Sequence, residues 1–265
     1  MIFLGLNSNL LLKNILKDIN FDLSEIQRYD QEKTDEIMRK YTNQINEVNT
    51  LKDEIIEASK STKGAFSHAN SGSASSGLIA GILLDEIIRR DGNDNTQDSE
   101  LQKLVKQGTA INSKTEIQAV SIIPIHKNIL SVSFGKAQMQ LGLVVELVEN
   151  GYLQKPKDWS ESTKYNIAAK WLLDDSKAPE LIAARIENIY EWWKYSEVRT
   201  KYGNINIEEP VYPDLSNSPG VFGTLYSIGL YTQNNKGEEE PKSSFERGEG
   251  IARYGRIFKN NYGLK

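Results

Sequence analysis

The feature that most restricts how this chain can fold is an apolar segment that follows a loop of small residues. Residues 67–77 read SHANSGSASSG, and the next thirteen read LIAGILLDEIIRR. Ser75 and Ser76 are both residues that commonly cap the start of a helix. Because the helix is apolar on nearly every face through Leu84, we predict that residues 77–89 run through the middle of a core.

Glu86 continues the buried face of this helix, since apolar residues stand three, four and seven positions before it. A carboxyl group in an apolar setting keeps its proton to higher pH, as the acid in glycosidic bond cleavage must. Asp85 lies about 100° further round the helix and is expected to point away from that face. The competing interpretation places Glu86 at a solvated helix end, where Asp85 pairs with Arg89 four residues on.

The rest of the chain predicts an α+β fold that is mainly α. Residues 1–65 form a helical arm, because apolar residues recur at near-helical spacing between charges. This arm is interpreted either as a hairpin packed on the main domain, residues 66–265, or as a docking segment for a partner. β-branched residues cluster over 115–134 and indicate a small β region. Further helices are predicted over 97–107, after Gly135, and over 160–174, 178–197, 220–231 and 244–260. A polar turn is predicted at DGNDN (91–95) and an acidic loop over 235–243.

Composition argues against several classes of protein. Acidic residues outnumber basic ones by 36 to 32, whereas nucleic-acid binding requires a basic surface. With no cysteine and only His68 and His126, no disulfide, metal or cofactor is expected. No apolar run approaches the roughly 20 residues of a membrane span. The first residues show neither a basic region nor a small-residue cleavage site, so no signal peptide is expected.

Four short motifs follow one another along the chain. They read Asp85-Glu86, SFGKAQMQLG at 133–142, YNIAAKWL at 165–172 and TLYSIG at 224–229. In this order the chain resembles the lysozyme-like superfamily, particularly soluble lytic transglycosylases and goose-type lysozymes. Those proteins show a helix ending in a catalytic Glu, then Gly-Leu-Met-Gln-like, Asn-Ile and Ala-Tyr-Asn-Ala-Gly segments. The resemblance covers about residues 76–258 and implies a lysozyme-like main domain.

The resemblance also implies roles for single residues. Glu86 matches the general acid, and Gln140 and Tyr226 match residues that line the cleft and contact sugar. Gln138 replaces Gln140 if the register shifts by two, and Tyr254 matches a further cleft tyrosine in the final helix. The alternatives are an ordinary helix N-terminus for the glutamines and a core tyrosine for Tyr226.

A second carboxylate is not assigned by the resemblance. Hydrolysing lysozymes use one on the far side of the sugar, whereas lytic transglycosylases work with the single acid. Asp94, Asp98 and Glu116 are expected in the predicted β region, and Glu116 borders its most strand-like stretch. Glu116 is the candidate, and the alternative for all three is a solvated loop charge.

The sequence therefore predicts an enzyme, a muramidase or lytic transglycosylase that cleaves peptidoglycan with Glu86 and no cofactor. Without a signal peptide, such a protein is expected to be soluble and to reach the periplasm or cell wall by a non-classical route. A phage endolysin or an antibacterial effector toxin fits this expectation, with an immunity or delivery protein as partner. The alternatives are an inactive lysozyme-like module and an all-helical interaction protein.

Overall fold

A computed structural model describes residues 23–61, 72–119, 125–195, 222–223, 226–227, 231–233, 239–241 and 246–264. Over these residues the fold is mainly helical, with short antiparallel pairs of strands, as predicted. None of the helices described is long and apolar enough to cross a membrane.

The structure describes nine helices and six short strands. The helices are α1 (Leu23–Lys40), α2 (Thr42–Asn49), α3 (Lys52–Ser61), α4 (Gly72–Arg89), α5 (Gly92–Lys106), α6 (Leu141–Glu149), α7 (Lys164–Leu173), α8 (Ala178–Tyr195) and α9 (Glu246–Tyr262). The strands are β1 (Glu116–Gln118), β2 (His126–Asn128), β3 (Ser133–Phe134), β4 (Met139–Gln140), β5 (Tyr231–Gln233) and β6 (Glu239–Pro241), which pair β1 with β2, β3 with β4 and β5 with β6.

The chain divides into two compact units between Thr42 and Asn43. The first contains α1, in which none of residues 31–40 is buried. The second contains everything from Asn43 onward, and Ile45, Val48 and Ile55 are buried within it. The boundary predicted near residue 65 falls between α3 and α4, two helices that pack on each other inside this second unit.

The apolar segment forms the central helix of the larger unit. All residues from Ser76 to Leu84, apart from the glycines, are at most 4% exposed, and α4 packs against α3, α8 and α9. The prediction of a core helix over 77–89 is therefore confirmed, but the helix begins at Gly72, so Ser75 and Ser76 lie inside it and do not cap it. Burial on all sides explains why the segment has no polar face of its own before Asp85.

Glycines allow α4 and α9 to approach each other closely. A Cβ atom on Gly81 would lie 2.4 Å from the carbonyl oxygen of Ile251, and one on Gly255 would lie 2.7 Å from that of Gly77. The two helices therefore run antiparallel, with Gly77 beside Gly255 and Gly81 beside Ile251. In this register Asp85, one turn after Gly81 on α4, lies beside Arg247, one turn before Ile251 on α9.

Helix α5 begins earlier than predicted. The sequence DGNDN was interpreted as a polar turn before a helix over 97–107, but α5 starts at Gly92. The Asp91 carboxylate accepts hydrogen bonds from the amides of Asn93 and Asp94, and the Asp94 carboxylate accepts one from the amide of Asp91. This capping box satisfies amides that a helix start leaves unpaired, so Asp94 lies in the first turn of a helix and not in a β region.

The predicted β region is present as two hairpins. Glu116 of β1 pairs with Asn128 of β2, and Ser133 of β3 pairs with Gln140 of β4. The helix predicted directly after Gly135 begins only at Leu141, because residues 135–138 form the turn of the second hairpin. Gly135 has a φ of 65°, and a Cβ there would lie 1.9 Å from the carbonyl oxygen of Leu172.

The end of the chain differs from the prediction in two places. Of the apolar helix predicted over 220–231, residues 222–223 and 226–227 are described as helical, while Tyr231 already belongs to β5. Its partner β6 lies in the stretch 235–243, which was predicted to be an acidic loop. The predicted terminal helix is confirmed as α9.

We expect Gly81→Ala to destabilise the fold by about 1–3 kcal/mol, because the new methyl group must push two backbones apart. Gly250→Ala is the matched control, since Gly250 lies in α9 and a Cβ there meets nothing within 4 Å. That change should raise the free energy of unfolding by up to about 1 kcal/mol through helix propensity. Urea unfolding of both variants measures the difference, and equal effects would contradict close packing at Gly81.

Candidate active site

Asp85 and Glu86 lie in the last turns of α4, and both are buried. Glu86 is 8% exposed and Asp85 is 2% exposed. Burial contradicts the solvated helix end for these two residues, whereas the pairing of Asp85 with Arg89 in the same interpretation is confirmed. The expectation that Asp85 points away from the buried side is wrong as well, because α9 covers the side of α4 on which Asp85 lies.

Arg247 of α9 joins the two carboxylates. Its Nη2 donates to Glu86 Oε1 at 3.0 Å, and its Nε donates to Asp85 Oδ2 at 2.6 Å. Arg89 donates from Nε to both oxygens of Asp85, at 3.0 and 3.1 Å. Asp85, Glu86, Arg89 and Arg247 therefore form one hydrogen-bonded group, which we call the carboxylate–arginine cluster.

Burial changes the acidity of Glu86. Loss of hydration raises the pKa of its carboxyl from 4.5 to about 7; Arg247 opposes this rise, and the neighbouring charge of Asp85 adds to it. Glu86 therefore keeps its proton in a large fraction of molecules at neutral pH. In the part of the chain that the structure describes, its second oxygen, Oε2, receives no hydrogen bond. This oxygen is the one from which a proton could be transferred.

Tyr226 lies near this carboxyl. Its hydroxyl donates to the carbonyl oxygen of Ala137 at 2.7 Å, which ties residues 226–227 to the turn between β3 and β4. Burial of the hydroxyl and the charge of Glu86 raise the pKa of Tyr226, so its phenol stays neutral. The structure thus brings together Glu86 and Tyr226, as the resemblance implies, while the hydroxyl is engaged by the backbone.

The two glutamines have different surroundings. Gln140 is exposed, ends β4 and precedes α6 without a side-chain capping bond. Gln138 has a φ of 45°, and its Nε2 donates to the carbonyl oxygen of Gly135 at 2.9 Å. The amide of Gln138 is therefore used to hold the turn. The side chain of Gln140 makes no capping hydrogen bond. Gln140 lies at the N-terminus of α6, as the alternative interpretation of the glutamines predicted.

Asp98 holds the hairpin of β3 and β4 close to the end of α4. Its Oδ1 accepts the backbone N–H of Gly135 at 2.8 Å, and its Oδ2 accepts a hydrogen bond from Arg90. Burial raises the pKa of Asp98, while the bonds from Gly135 and Arg90 act in the opposite direction. Asp98 therefore lies in α5 as part of the support of the site, and it is not a solvated loop charge.

Of the remaining predicted residues, Tyr254 adjoins the carboxylate–arginine cluster and Glu116 does not interact with it. Glu116 is exposed on β1, opposite Asn128. Tyr254 is half-buried on α9, where it interacts electrostatically with Arg89. Among the residues that the structure describes, no group of three histidine, aspartate or glutamate side chains could hold a metal ion.

Arg247 was missed by the sequence reasoning. Its signal was the matched spacing of Gly77, Gly81 and Asp85 in α4 with Gly255, Ile251 and Arg247 in α9. Each set has steps of four residues, as expected for two helices in antiparallel contact. Recognising it would have required knowing that these two helices are neighbours.

No protein-family model, curated protein or solved structure matches this chain. Its function must therefore be inferred from the chemistry of these residues. A protonated carboxyl with one oxygen free of hydrogen bonds can give up a proton, and an arginine on the other oxygen can stabilise the carboxylate that results.

We expect the contribution of Glu86 to the stability of the folded protein to fall as the pH rises from about 4.5 to about 7. Over this range the unfolded chain loses the Glu86 proton while the folded chain keeps it, so rising pH favours unfolding. Glu86→Gln removes this contribution, which is on the order of 3 kcal/mol across the window. Urea unfolding at pH 5 and pH 8 compares the two proteins.

Glu57→Gln, a change at an exposed side chain of α3, is the matched control and should keep the wild-type pH dependence. If Glu86→Gln and Glu57→Gln show the same pH dependence of stability, Glu86 does not titrate near neutral pH.

Proposed function

We propose that this chain is a glycosidase that cleaves the glycan strands of peptidoglycan, as a muramidase or a lytic transglycosylase, with Glu86 as general acid. The observation that carries the proposal is a buried carboxyl whose pKa is raised to about 7 and whose Oε2, unlike Oε1, receives no hydrogen bond from the described residues. Such a group is protonated at the pH at which it would have to protonate a glycosidic oxygen.

The surroundings of Glu86 suit this reaction. The proton would pass from Oε2 to the glycosidic oxygen as the bond between that oxygen and the sugar carbon breaks. The carboxylate left on Glu86 already accepts a hydrogen bond from Arg247 at 3.0 Å, so its charge is stabilised without rearrangement. About a fifth of the Arg247 side chain is exposed, which connects this corner of the site with solvent.

The second step would return the proton to Glu86. In a hydrolase, the carboxylate accepts a proton from the attacking water and the product has a reducing end. In a lytic transglycosylase, which the chain also resembles, it accepts a proton from a hydroxyl of the substrate itself and leaves an anhydro end. The two reactions use the same acid and differ in the nucleophile.

A lysozyme-like fold of residues 66–265 is part of the same proposal. It is supported by the order of elements: a core helix that carries Glu86 in its last turn, the helix α5, two β hairpins, the Met139–Gln140 strand leading into a helix, and the terminal helix α9. The resemblance of the four motifs and the proximity of Tyr226 to Glu86 point in the same direction.

A second function is favoured by one specific observation. The carboxylate–arginine cluster balances two acids with two arginines, which is also the arrangement that a purely structural ion-pair network requires. In that case the chain is an interaction module without catalysis. Glu86 and Asp85 would then be equivalent members of the network.

We expect Glu86→Gln to lower the rate of peptidoglycan cleavage by about a hundred- to ten-thousandfold, because it removes the transferable proton and keeps the shape. The measurement is incubation with purified peptidoglycan and mass analysis of the released muropeptides. Anhydro ends identify a transglycosylase, and reducing ends identify a hydrolase. Glu57→Gln serves as the control, and full cleavage by Glu86→Gln would exclude Glu86 as the acid.

The wild-type kcat/KM should decline as the pH rises through about 7, because only protonated Glu86 acts as the acid. Asp85→Asn removes a neighbouring negative charge, so it should move this decline to lower pH while cleavage persists at acidic pH. It should also destabilise the fold by about 3–5 kcal/mol, since it leaves Arg89 and Arg247 without a shared buried partner. Equal loss of activity in Asp85→Asn and Glu86→Gln at every pH would favour the structural network.

A further inference from the structure

A buried acid connects the end of α4 to the turn between β3 and β4, residues 135–138. Asp98 Oδ1 accepts the backbone N–H of Gly135 at 2.8 Å, and Asp98 Oδ2 accepts a hydrogen bond from Arg90, one turn beyond Glu86 on α4. Only 17% of the Asp98 side chain is exposed. Removal of either donor would leave part of a buried charge without a partner, so Asp98 fixes the turn relative to α4.

The turn itself has little room to move. Gln138 holds a left-handed φ of 45° while its Nε2 donates to the carbonyl oxygen of Gly135 at 2.9 Å. Such a backbone conformation is costly for a residue other than glycine and persists only where the surroundings hold it. Between these two residues, Lys136 Nζ lies 2.8 Å from Glu47 Oε1 and 3.0 Å from Asp175 Oδ2. A displacement at Gly135 is therefore passed on to the whole turn.

The far side of the turn holds residues 226–227. The Tyr226 hydroxyl donates to the carbonyl oxygen of Ala137 at 2.7 Å. The next residue, Ser227, accepts a hydrogen bond on its carbonyl oxygen from Nη1 of Arg247, at 3.5 Å. The turn is thus connected through two hydrogen bonds to the arginine that contacts Glu86.

The carbonyl oxygen of Ser227 is one of three acceptors that orient Arg247. Nε donates to Asp85 at 2.6 Å and Nη1 to Ser227, while Nη2 donates to Glu86 Oε1 at 3.0 Å. Because the guanidinium is planar, fixing two of its nitrogens fixes the direction of the third. If Ser227 moved, the group could turn away from Glu86 and still keep its bond to Asp85.

We infer that Asp98 is a positioning residue for Glu86, because it holds Arg247 in place through the turn and the segment bound to that turn. This inference rests on the proposed glycosidase function and deepens it. Asp98 contacts neither the substrate nor the reacting atoms in this scheme. Its loss should therefore change the behaviour of the Glu86 carboxyl and leave the binding of sugar nearly unchanged.

The measurement is the titration of the Glu86 carboxyl, followed by NMR of the full chain carrying ¹³C at its glutamate carboxyls. The resonance that is missing from Glu86→Gln identifies Glu86. Asp98→Ala should move the midpoint up by about half a pH unit or more, because a loosened Arg247 stabilises the ionised carboxyl less. The other groups whose charges face Glu86 are Asp85, Arg89 and Tyr226, and they are unchanged in this variant.

The sign of the change separates positioning from a direct effect of charge. If the charge of Asp98 acted on Glu86 directly, its removal would lower the midpoint. Asp98→Asn removes the same charge but keeps an oxygen for the amide of Gly135, so its midpoint should stay close to that of the wild type. An unchanged or lower midpoint in Asp98→Ala overturns the inference, and so does an equal rise in Asp98→Asn.

Glu100→Ala is the matched control, since it removes a carboxylate of the same helix whose partner is Lys103. It should leave the midpoint unchanged, and the same rise in this variant would overturn the inference. Should Asp98→Ala fail to fold, Tyr226→Phe tests the same connection. It removes only the hydroxyl that binds Ala137 and should raise the midpoint as well.

Cleavage of peptidoglycan gives the second readout. Asp98→Ala should lower kcat about tenfold at pH 5 with little change in KM, because a misplaced acid affects the reaction more than binding. Wild-type cleavage together with an unmoved midpoint in Asp98→Ala and Tyr226→Phe overturns the inference and leaves the glycosidase intact. A raised midpoint in a protein that cleaves no glycan overturns the glycosidase and supports the role of Asp98 in holding Glu86.

Discussion

The close contact between α4 and α9 fixes the position of every charge in the candidate site. Gly77, Gly81 and Gly255 let two backbones meet where any side chain would hold them apart. The helices are antiparallel, and contacting residues recur every four positions on each. The register set by the glycines therefore determines that Arg247 is the residue of α9 beside Asp85. A small shift of either helix would take Arg247 away from both carboxylates. The electrostatics of the site thus depend on packing between apolar turns.

Within the carboxylate–arginine cluster, Asp85 accepts more hydrogen bonds than Glu86 does. Asp85 accepts three from two arginines, whereas Glu86 accepts one from Arg247. Both acids are buried, so the number of donors is what distinguishes their surroundings. An acid that is to exchange a proton needs this weaker support, because each added donor stabilises the ionised form. Asp85 anchors Arg247, and Arg247 in turn holds Glu86 in place.

The sequence was sufficient for features that depend on one segment at a time. The burial of α4 and of Glu86 followed from apolar spacing, and the β region followed from clustered β-branched residues. The start of α5 was wrong because the capping box formed by Asp91 and Asp94 overrode a turn-like composition. The burial of Asp85 was missed because a helical wheel reports one face and says nothing about a second helix. Arg247 is 161 positions from Glu86, a separation that no local pattern bridges.

That separation also bears on how the protein is made. During synthesis α4 leaves the ribosome long before α9, so Glu86 is produced without its counter-ion and without the helix that covers it. Contacts between residues this distant along the chain close late in folding, because a long loop must first be ordered. A nascent chain therefore holds the carboxyl in water, where its acidity is that of any surface glutamate. The pKa of Glu86 rises only when the last described helix docks, which links the proton affinity of this carboxyl to completion of the fold.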